Sequence, residues 1–307
     1  MKQLFNISIV LACMLLLSAC KNIHKEIQFP KVNDNIPYSS IESLPTLDAT
    51  NAVSYASHQD QYFYFWEAIN PSSDFIPKQQ DTVIFVHGGC WLSAFDIGHS
   101  QAFTSGLAAA GYNVFSIEYR RTGNGGEWPV ALDDLKLAIL NIRRFMRSKG
   151  ITSQQVTMVG HSAGGHLATL LAVDAINVFE NLNLIGLAAI IDLPRYALGD
   201  NSCQTATPKF MQGDEQEQAT AYKLANPLNY TMLGLNSAIM YSGSKDNIVP
   251  TSLATHPNTE NQILPGVGHF DWIHPGSFAF KTLIQRLEAI NENRVITPLD
   301  VKNTDAD

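Results

Sequence analysis

The sequence predicts an α/β protein in which a mostly parallel sheet carries helices on both faces. Short apolar runs rich in β-branched residues alternate with longer segments whose apolar residues recur at helical spacing. Such alternation is typical of parallel strands joined by crossover helices. The chain has 307 residues, 45% of them hydrophobic, which is enough for one domain with a large core. Neither an internal repeat nor a second domain is evident in the sequence.

The predicted elements follow one another in a regular order. The first strand is an aromatic segment, and the later strands are short, mainly aliphatic runs. The helices are longer, with apolar residues three or four positions apart. Predicted strands lie at residues 61–66, 81–86, 112–117, 156–159, 184–191 and 237–241, and predicted helices at 131–146, 164–173 and 278–290. A further short apolar run lies at 262–264.

The strand at 156–159 is followed by Gly-His-Ser-Ala-Gly at residues 160–164 and then by a helix. A Gly-x-Ser-x-Gly pattern in this position predicts a turn so sharp that the serine is held in a strained conformation. Gly160 and Gly164 are then required, because side chains at these positions would collide. The turn exposes the hydroxyl of Ser162 beside the unpaired N–H groups of the helix N-terminus, which predicts Ser162 as a nucleophile.

A serine hydroxyl is a poor nucleophile unless a positioned base removes its proton. After such a turn, an acid and then a histidine are expected later in the chain. Asp246 follows the predicted strand at 237–241, and His269 lies in a glycine-rich loop before the last helix. We therefore predict a catalytic triad of Ser162, Asp246 and His269. Two alternatives stay open: Asp246 is a turn residue, or His269 is a hydrogen-bonded loop histidine, with His274 as the other candidate base.

Backbone N–H groups that bind an oxyanion are predicted after the strand at 81–86. That strand is followed by His-Gly-Gly-Cys-Trp, whose glycines let the backbone approach a reacting group closely. The predicted donors are the N–H groups of Gly88, Gly89 and Cys90, together with that of Ala163. Losing one such donor typically costs about 2.7–4 kcal/mol of transition-state stabilisation.

Aromatic residues near these motifs are candidates for the wall of a substrate pocket. Trp91, Phe270 and Trp272 are these candidates, and each is equally compatible with a place in the core. The segment 192–236 is longer than a simple crossover requires and contains three prolines and a run of acidic and amide residues. Two interpretations stay open for it: a small lid over the site, or one crossover helix with a long loop.

Over residues 80–290 the chain resembles the α/β-hydrolase superfamily. The similar branch holds hormone-sensitive-lipase-like carboxylesterases, feruloyl- and acetyl-esterase-like domains and kynurenine formamidases. Besides the two glycine motifs, the resemblance includes Glu-Tyr-Arg at 118–120, Trp-Pro at 128–129 and His-Phe-Asp at 269–271. It implies a serine hydrolase that needs no cofactor. Cys90 stands where many esterases have a third glycine, a change that leaves the backbone N–H in place.

The N-terminus predicts export. A short cationic region precedes a mostly apolar run that is too short to span a bilayer, which is typical of a signal peptide. The run ends in Leu-Ser-Ala-Cys, which resembles a bacterial lipobox and implies removal of residues 1–19 and lipidation of Cys20. The expected product is a membrane-anchored lipoprotein outside the cytoplasm, on the outer membrane or in the periplasm. The alternative is an ordinary secretory signal.

The remaining segments complete the expected organisation. Residues 20–60 lack sustained periodicity and are rich in Asn, Ser, Pro and Asp, which indicates a tether. The hydrolase domain is expected at 61–291 and a solvated tail at 292–307. An oxidising compartment would permit Cys90 and Cys203 to pair, but the sequence does not show whether they are close enough.

The composition narrows the class of function. A net charge of −8 without basic clusters argues against nucleic acid, and no residue pattern has metal-ligand spacing. We expect a hydrolase that cleaves carboxylic esters of small acyl groups through an acyl-enzyme. The alternatives are an arylformamidase similar to kynurenine formamidase and a catalytically inactive surface-binding protein on the same scaffold. The physiological substrate and the oligomeric state do not follow from the sequence.

Overall fold

A computed structural model describes residues 27–69 and 81–292 of the protein. The predicted signal peptide with Cys20 and nearly all of the predicted tail lie outside these residues. The described chain contains one eight-stranded sheet. Its strands are β1 (Asn51–Ser54), β2 (Tyr62–Trp66), β3 (Thr82–Val86), β4 (Asn113–Ile117), β5 (Val156–His161), β6 (Leu182–Leu187), β7 (Ser237–Gly243) and β8 (Glu260–Leu264).

Seven helices are found in the described residues. They are α1 (Gln101–Ala109), α2 (Val130–Lys149), α3 (Ala163–Ala175), α4 (Leu193–Tyr196), α5 (Ser202–Met211), α6 (Ala219–Ala225) and α7 (Phe278–Asn291). The three predicted helices correspond to α2, α3 and α7. Helix α1 was not predicted, because its nine residues are mostly small and give only a weak apolar pattern.

The order of strands in the sheet is β1-β2-β4-β3-β5-β6-β7-β8. The pairs β1–β2 and β2–β4 are antiparallel, and every other neighbouring pair is parallel. Helices pack on both faces, so the predicted α/β-hydrolase architecture with a mostly parallel sheet is confirmed.

The chain reverses its direction of travel across the sheet at β3. Strand β4 lies on one side of β3 and strand β5 on the other. The loops that leave β3 and β5 therefore diverge, and open α/β sheets bind ligands in the crevice between such loops. Since β3 ends at Val86 and β5 ends at His161, both glycine motifs lie at this crevice.

The four central strands are buried on both faces. Every residue of β3, β4, β5 and β6 is buried, which explains why their sequences are continuous apolar runs rather than alternating ones. One apolar cluster packs between the sheet and helices α2 and α3, and a second packs between the opposite face and helices α1 and α7.

Residues 35–54 pack against the domain, although the sequence suggested that they belong to a tether. Strand β1 extends the sheet by pairing with β2. Ile41 is buried, the Leu47 N–H donates to Ser105 Oγ (2.9 Å), and Trp66 Nε1 donates to the Leu47 carbonyl (3.0 Å). Most of the described part of the hypothesised tether is therefore attached to the folded domain.

The segment 192–236 lies between β6 and β7 and contains the three helices α4, α5 and α6. A disulfide joins Cys203 of α5 to Cys90 in the loop after β3, with their Cα atoms 4.9 Å apart. This bond answers the pairing question that the sequence left open, and it fixes α5 beside the crevice. Across the described residues, no helix has both the length and the apolar character needed to cross a membrane.

Candidate active site

Ser162 occupies the turn between β5 and α3. Its backbone has φ 55° and ψ −122°. Residues other than glycine rarely adopt such a positive φ, so the turn is strained at Ser162. A Cβ at Gly164 would overlap the carbonyl oxygens of Val86 and His87. A Cβ at Gly160 would lie 2.5 Å from the carbonyl oxygen of Gly164. The spacing of Gly160, Ser162 and Gly164 is therefore a steric requirement of this turn, as expected from the sequence.

Asp246 and His269 meet at the carboxyl end of the sheet. The distance from His269 Nδ1 to Asp246 Oδ2 is 2.8 Å, and both residues are buried. The other carboxylate oxygen, Asp246 Oδ1, accepts hydrogen bonds from the N–H groups of Ile248 and Val249, both at 2.8 Å. With Nδ1–H donated to the carboxylate, His269 Nε2 is left unprotonated in the neutral ring.

His161 holds the backbone of the histidine loop, which is the segment 265–270 that follows β8 and carries His269. Its Nε2 donates to the carbonyl oxygen of His269 (3.0 Å), and the centres of the two rings are 4.7 Å apart. Burial, and secondarily the neighbouring His269, lowers the pKa of His161 well below its usual value, so this ring stays neutral. The sequence suggested no role for His161.

The loop after β3 contains the N–H groups that were predicted to bind an oxyanion. Gly89, Cys90 and Trp91 have φ values of 105°, 54° and 58°, so three successive residues are left-handed. A Cβ at Gly88 would lie 3.1 Å from that of Ser162, which places this loop directly beside the serine. Within residues 27–69 and 81–292, the N–H groups of Gly89 and Cys90 donate no hydrogen bond.

The N–H group of Ala163 is likewise without an acceptor among the described residues, since it belongs to the first residue of α3. The N-terminus of a helix also carries a partial positive charge. N–H groups without an acceptor among the described residues therefore occur both in the loop after β3 and at the start of α3, in the residue after Ser162.

Glu118 fixes the loop after β3 from beneath. Its buried carboxylate accepts hydrogen bonds from His87 Nε2 (3.1 Å) and from the N–H of Ile97 (2.8 Å), and it pairs with Arg121. The Tyr119 hydroxyl donates to the carbonyl oxygen of His87 (2.8 Å). Burial and the charge of Arg121 lower the pKa of His87 to about 3, so His87 is neutral. These contacts make His87 a brace of the loop.

Ser162 and His269 open into one cavity of about 370 Å³. The cavity lies between the loop after β3, the start of α5, the histidine loop and the N-terminal segment. Its walls are mostly apolar and are formed by Tyr38, Gly89, Cys90, Phe95, His99, His161, Ser162, Ser202, Cys203, Ile248, His269 and Phe270.

Of the three predicted pocket aromatics, Phe270 alone is part of this wall. Trp91 is fully buried and stacks on Phe210, with ring centres 4.9 Å apart. Trp272 is also fully buried and packs against Tyr241 at 5.4 Å. Trp91 belongs to the apolar cluster on one face of the sheet and Trp272 to the cluster on the opposite face. Both are therefore core residues rather than pocket residues.

The candidate base His274 is not part of the cavity wall. It is buried, and its Nδ1 accepts a hydrogen bond from the N–H of Gly276 (3.1 Å). His269, by contrast, lines the same cavity as Ser162.

Several residues of the cavity wall were not expected from the sequence. Tyr38 comes from the hypothesised tether, and Ser202 comes from the hypothesised lid segment. His99 lies in the 3-10 turn Ile97–Ser100 that precedes α1, where burial and the neighbouring His87 lower its pKa to about 4. No local motif marks these residues, because each reaches the cavity through contacts with distant parts of the chain.

The chain matches the BD-FAE family model over residues 74–258. This range includes Ser162 and Asp246 and ends before His269. Two curated relatives come from Mycobacterium tuberculosis. Esterase LipC is 34% identical over 102 residues, covering 33% of this chain and 25% of LipC. Esterase LipQ is 26% identical over 189 residues, covering 57% of this chain and 44% of LipQ. The chain thus spans less than half the length of these relatives.

Solved structures share the fold at low sequence identity. A truncated carbohydrate esterase from gut microbiota has a TM-score of 0.63 and 18% identity, covering 80% of this chain and 97% of its own. Esterase B from Lactobacillus rhamnosis has a TM-score of 0.62 and 15% identity, covering 95% and 93%. A Pyrobaculum calidifontis esterase has a TM-score of 0.62 and 16% identity, covering 83% and 88%. The family match covers more than half of the chain, and the protein therefore belongs to the BD-FAE family.

Proposed function

We propose that the protein is a serine hydrolase that cleaves carboxylic esters of small acyl groups. The observation that carries this proposal is the 2.8 Å contact between His269 Nδ1 and Asp246 Oδ2 beside the cavity that contains the strained Ser162. The names of the curated relatives LipC and LipQ support an esterase activity. An inactive binding scaffold is disfavoured, since such proteins usually lack one member of the triad.

In the first half-reaction, Ser162 Oγ attacks the ester carbonyl carbon while its proton passes to His269 Nε2. The negative oxygen that forms is stabilised by the N–H groups of the Gly88-Gly89-Cys90 loop and of Ala163. Asp246 holds the ring orientation and stabilises the imidazolium. The carbon–oxygen bond to the alcohol then breaks, and the leaving alkoxide takes the proton from Nε2.

In the second half-reaction, water attacks the acyl-enzyme and gives its proton to His269 Nε2. A second tetrahedral intermediate is held by the same N–H groups. Its collapse releases the carboxylic acid and returns the proton to Ser162 Oγ. Each half-reaction leaves the charges of Asp246 and His269 as they began, so no cofactor is required.

The wall of the cavity favours a compact, largely uncharged substrate. About 370 Å³ is near the lower end of small-molecule sites, and the lining is mostly apolar. An aryl formamide is the second candidate, because the His-Phe-Asp segment at 269–271 resembles that of kynurenine formamidases. Both substrates would use the same serine chemistry.

The test compares kcat/KM for p-nitrophenyl acetate and for N-formylkynurenine, with the Ser162→Ala variant as the background. A preference for the acetate of about tenfold or more, equal to 1.4 kcal/mol of transition-state discrimination, is the expected result. A preference for the formamide would replace the esterase proposal with the arylformamidase. More than a few per cent of wild-type activity in Ser162→Ala would refute the triad itself.

We also propose that the protein is an exported lipoprotein anchored through Cys20, as the lipobox-like segment predicts. Several acyl chains on one cysteine would suffice for stable attachment to a membrane. The Cys20→Ser variant should then leave the membrane fraction of the producing cell. Retention of that variant in the membrane fraction would contradict lipidation at this position.

A further inference from the structure

One wall of the active-site cavity comes from the N-terminal segment rather than from the hydrolase core. Tyr38 stands in a short 3-10 turn, Tyr38–Ser40, and its ring lines the cavity. The centre of this ring lies 5.3 Å from that of Phe270, 5.9 Å from that of Phe95 and 6.4 Å from that of His99. The Tyr38 ring therefore joins the histidine loop to the loop after β3 across one side of the cavity.

Two backbone N–H groups of the segment that carries Tyr38 donate to one buried carboxylate. Asp271 is fully buried and lies two residues after His269. Its Oδ2 accepts the N–H of Asn35 (2.7 Å), and its Oδ1 accepts the N–H of Ile36 (3.0 Å). These two bonds join residues that are 236 and 235 positions apart in the chain.

The same carboxylate also holds the histidine loop. Asp271 Oδ2 accepts the N–H of Gly268, the residue before His269. Hydrogen bonds to a charged acceptor are about twice as strong as those between neutral groups, and a buried carboxylate is costly unless all its bonds are made. The three N–H donors satisfy this carboxylate, so the N-terminal segment and the loop that carries His269 are held by one group.

We propose that Tyr38 is a specificity-determining residue that limits the size of the ester bound in this cavity. Asp271 is the positioning residue, because its carboxylate binds both the segment before Tyr38 and the residue before His269. The inference rests on the proposed function, because it concerns the selectivity of the same site. Tyr38 and Asp271 both lie outside residues 74–258, the range that matches the family model, as does His269.

The test measures two selectivity ratios of kcat/KM. One compares p-nitrophenyl hexanoate with p-nitrophenyl acetate, which varies the acyl group. The other compares naphthyl acetate with ethyl acetate, which varies the alcohol. Tyr38→Ala should raise at least one ratio by about tenfold, the usual effect of one or two methylene-sized changes in a pocket. Tyr38→Phe keeps the ring and should leave both ratios close to the wild-type values.

Asp271→Asn should raise the same ratio as Tyr38→Ala and should also lower kcat, because it disturbs the loop of His269. Asp34→Asn makes the same change of charge on an exposed carboxylate one residue before the fastened segment and serves as its control. Should Asp271→Asn fail to fold, the two Tyr38 variants still decide the proposal.

Unchanged ratios in Tyr38→Ala, with the wild-type protein active on the acetate, would overturn the inference and leave the proposed function intact. A shift as large in Tyr38→Phe as in Tyr38→Ala would also overturn it, since the ring would then not be the limiting feature. A wild-type protein that hydrolyses none of the four esters would overturn the proposed function and this inference together.

Discussion

At the scale of single residues, Asp246 combines two roles that the sequence presented as alternatives. Its Oδ1 closes a turn by accepting the N–H groups of Ile248 and Val249, and its Oδ2 contacts His269. The two bonds from the turn restrain the carboxylate, so its orientation toward His269 does not depend on a free side-chain rotamer. A carboxylate has enough lone pairs for all three bonds.

Replacing Asp246 with Asn should remove the acceptor that selects the His269 tautomer. We expect kcat/KM for p-nitrophenyl acetate to fall by about 10³–10⁴, with little change in KM. His269→Ala should reduce activity at least as much. His274→Ala is the matched control, since His274 is a buried histidine outside the cavity wall. A larger loss of kcat in His274→Ala than in His269→Ala would show that His274 rather than His269 is the catalytic base.

At the scale of elements, the candidate site is assembled where four loops leave the sheet, and the loop after β8 carries His269. The loop after β3 brings the left-handed Gly89 and Cys90, the turn after β5 brings Ser162, and the loop after β7 brings Asp246. Helix α5 closes one side through its disulfide to Cys90. The insertion 192–236 thus supplies part of the cavity wall, which is the position that a lid would occupy.

Removing the disulfide should destabilise the protein without removing any predicted donor. The paired change Cys90→Ser and Cys203→Ser frees a loop of 113 residues, and chain entropy predicts a loss of about 4–5 kcal/mol in the free energy of unfolding. The N–H of residue 90 is kept. Urea unfolding measures the loss, and a reducing agent should lower the stability of the wild type but not of the variant. Equal stability of both proteins would contradict a structural role for the bond.

At the scale of the whole molecule, buried histidines make the stability depend on pH. Burial lowers the pKa of His87 to about 3 and that of His166 to about 4, and it lowers the pKa of His161 well below its usual value. The folded protein therefore keeps these rings neutral, while the unfolded chain binds protons near pH 6.5. The stabilisation that comes from keeping these histidines neutral is fully present above pH 6.5. It is lost as the pH falls toward the pKa values that the histidines have in the folded protein.

The free energy of unfolding should therefore decrease between pH 6.5 and pH 4.5. Each such histidine contributes up to about 1.4 kcal/mol per pH unit to the slope of the free energy of unfolding against pH. His166→Gln should reduce the slope by up to this amount, and glutamine can keep the donor that His166 Nε2 offers to the carbonyl of Ala225 (2.7 Å). Denaturant unfolding at several pH values measures the slopes. An unchanged slope in the variant would show that His166 binds its proton equally in both states.

The sequence by itself determined the elements and motifs whose causes are local. The apolar runs predicted the central strands β3 to β6, since strands buried on both faces have continuous apolar sequences. The Gly-x-Ser-x-Gly turn was predictable because the collision that it avoids involves residues adjacent in the chain and the strand beside them. Asp246 and His269 were predicted from their order and their loops, and the structure brings them to 2.8 Å.

Only the tertiary structure decided what surrounds those motifs. Trp91 lies in the core rather than in the cavity because Phe210, far away in the sequence, offers it a stacking surface. Cys90 meets Cys203 across 113 residues, and Asp271 fastens a segment 235 residues away. These contacts depend on which loops the strand order brings to the same edge of the sheet. A local sequence pattern does not specify that order, so the candidate triad residues could be predicted from the sequence and the walls of the cavity could not.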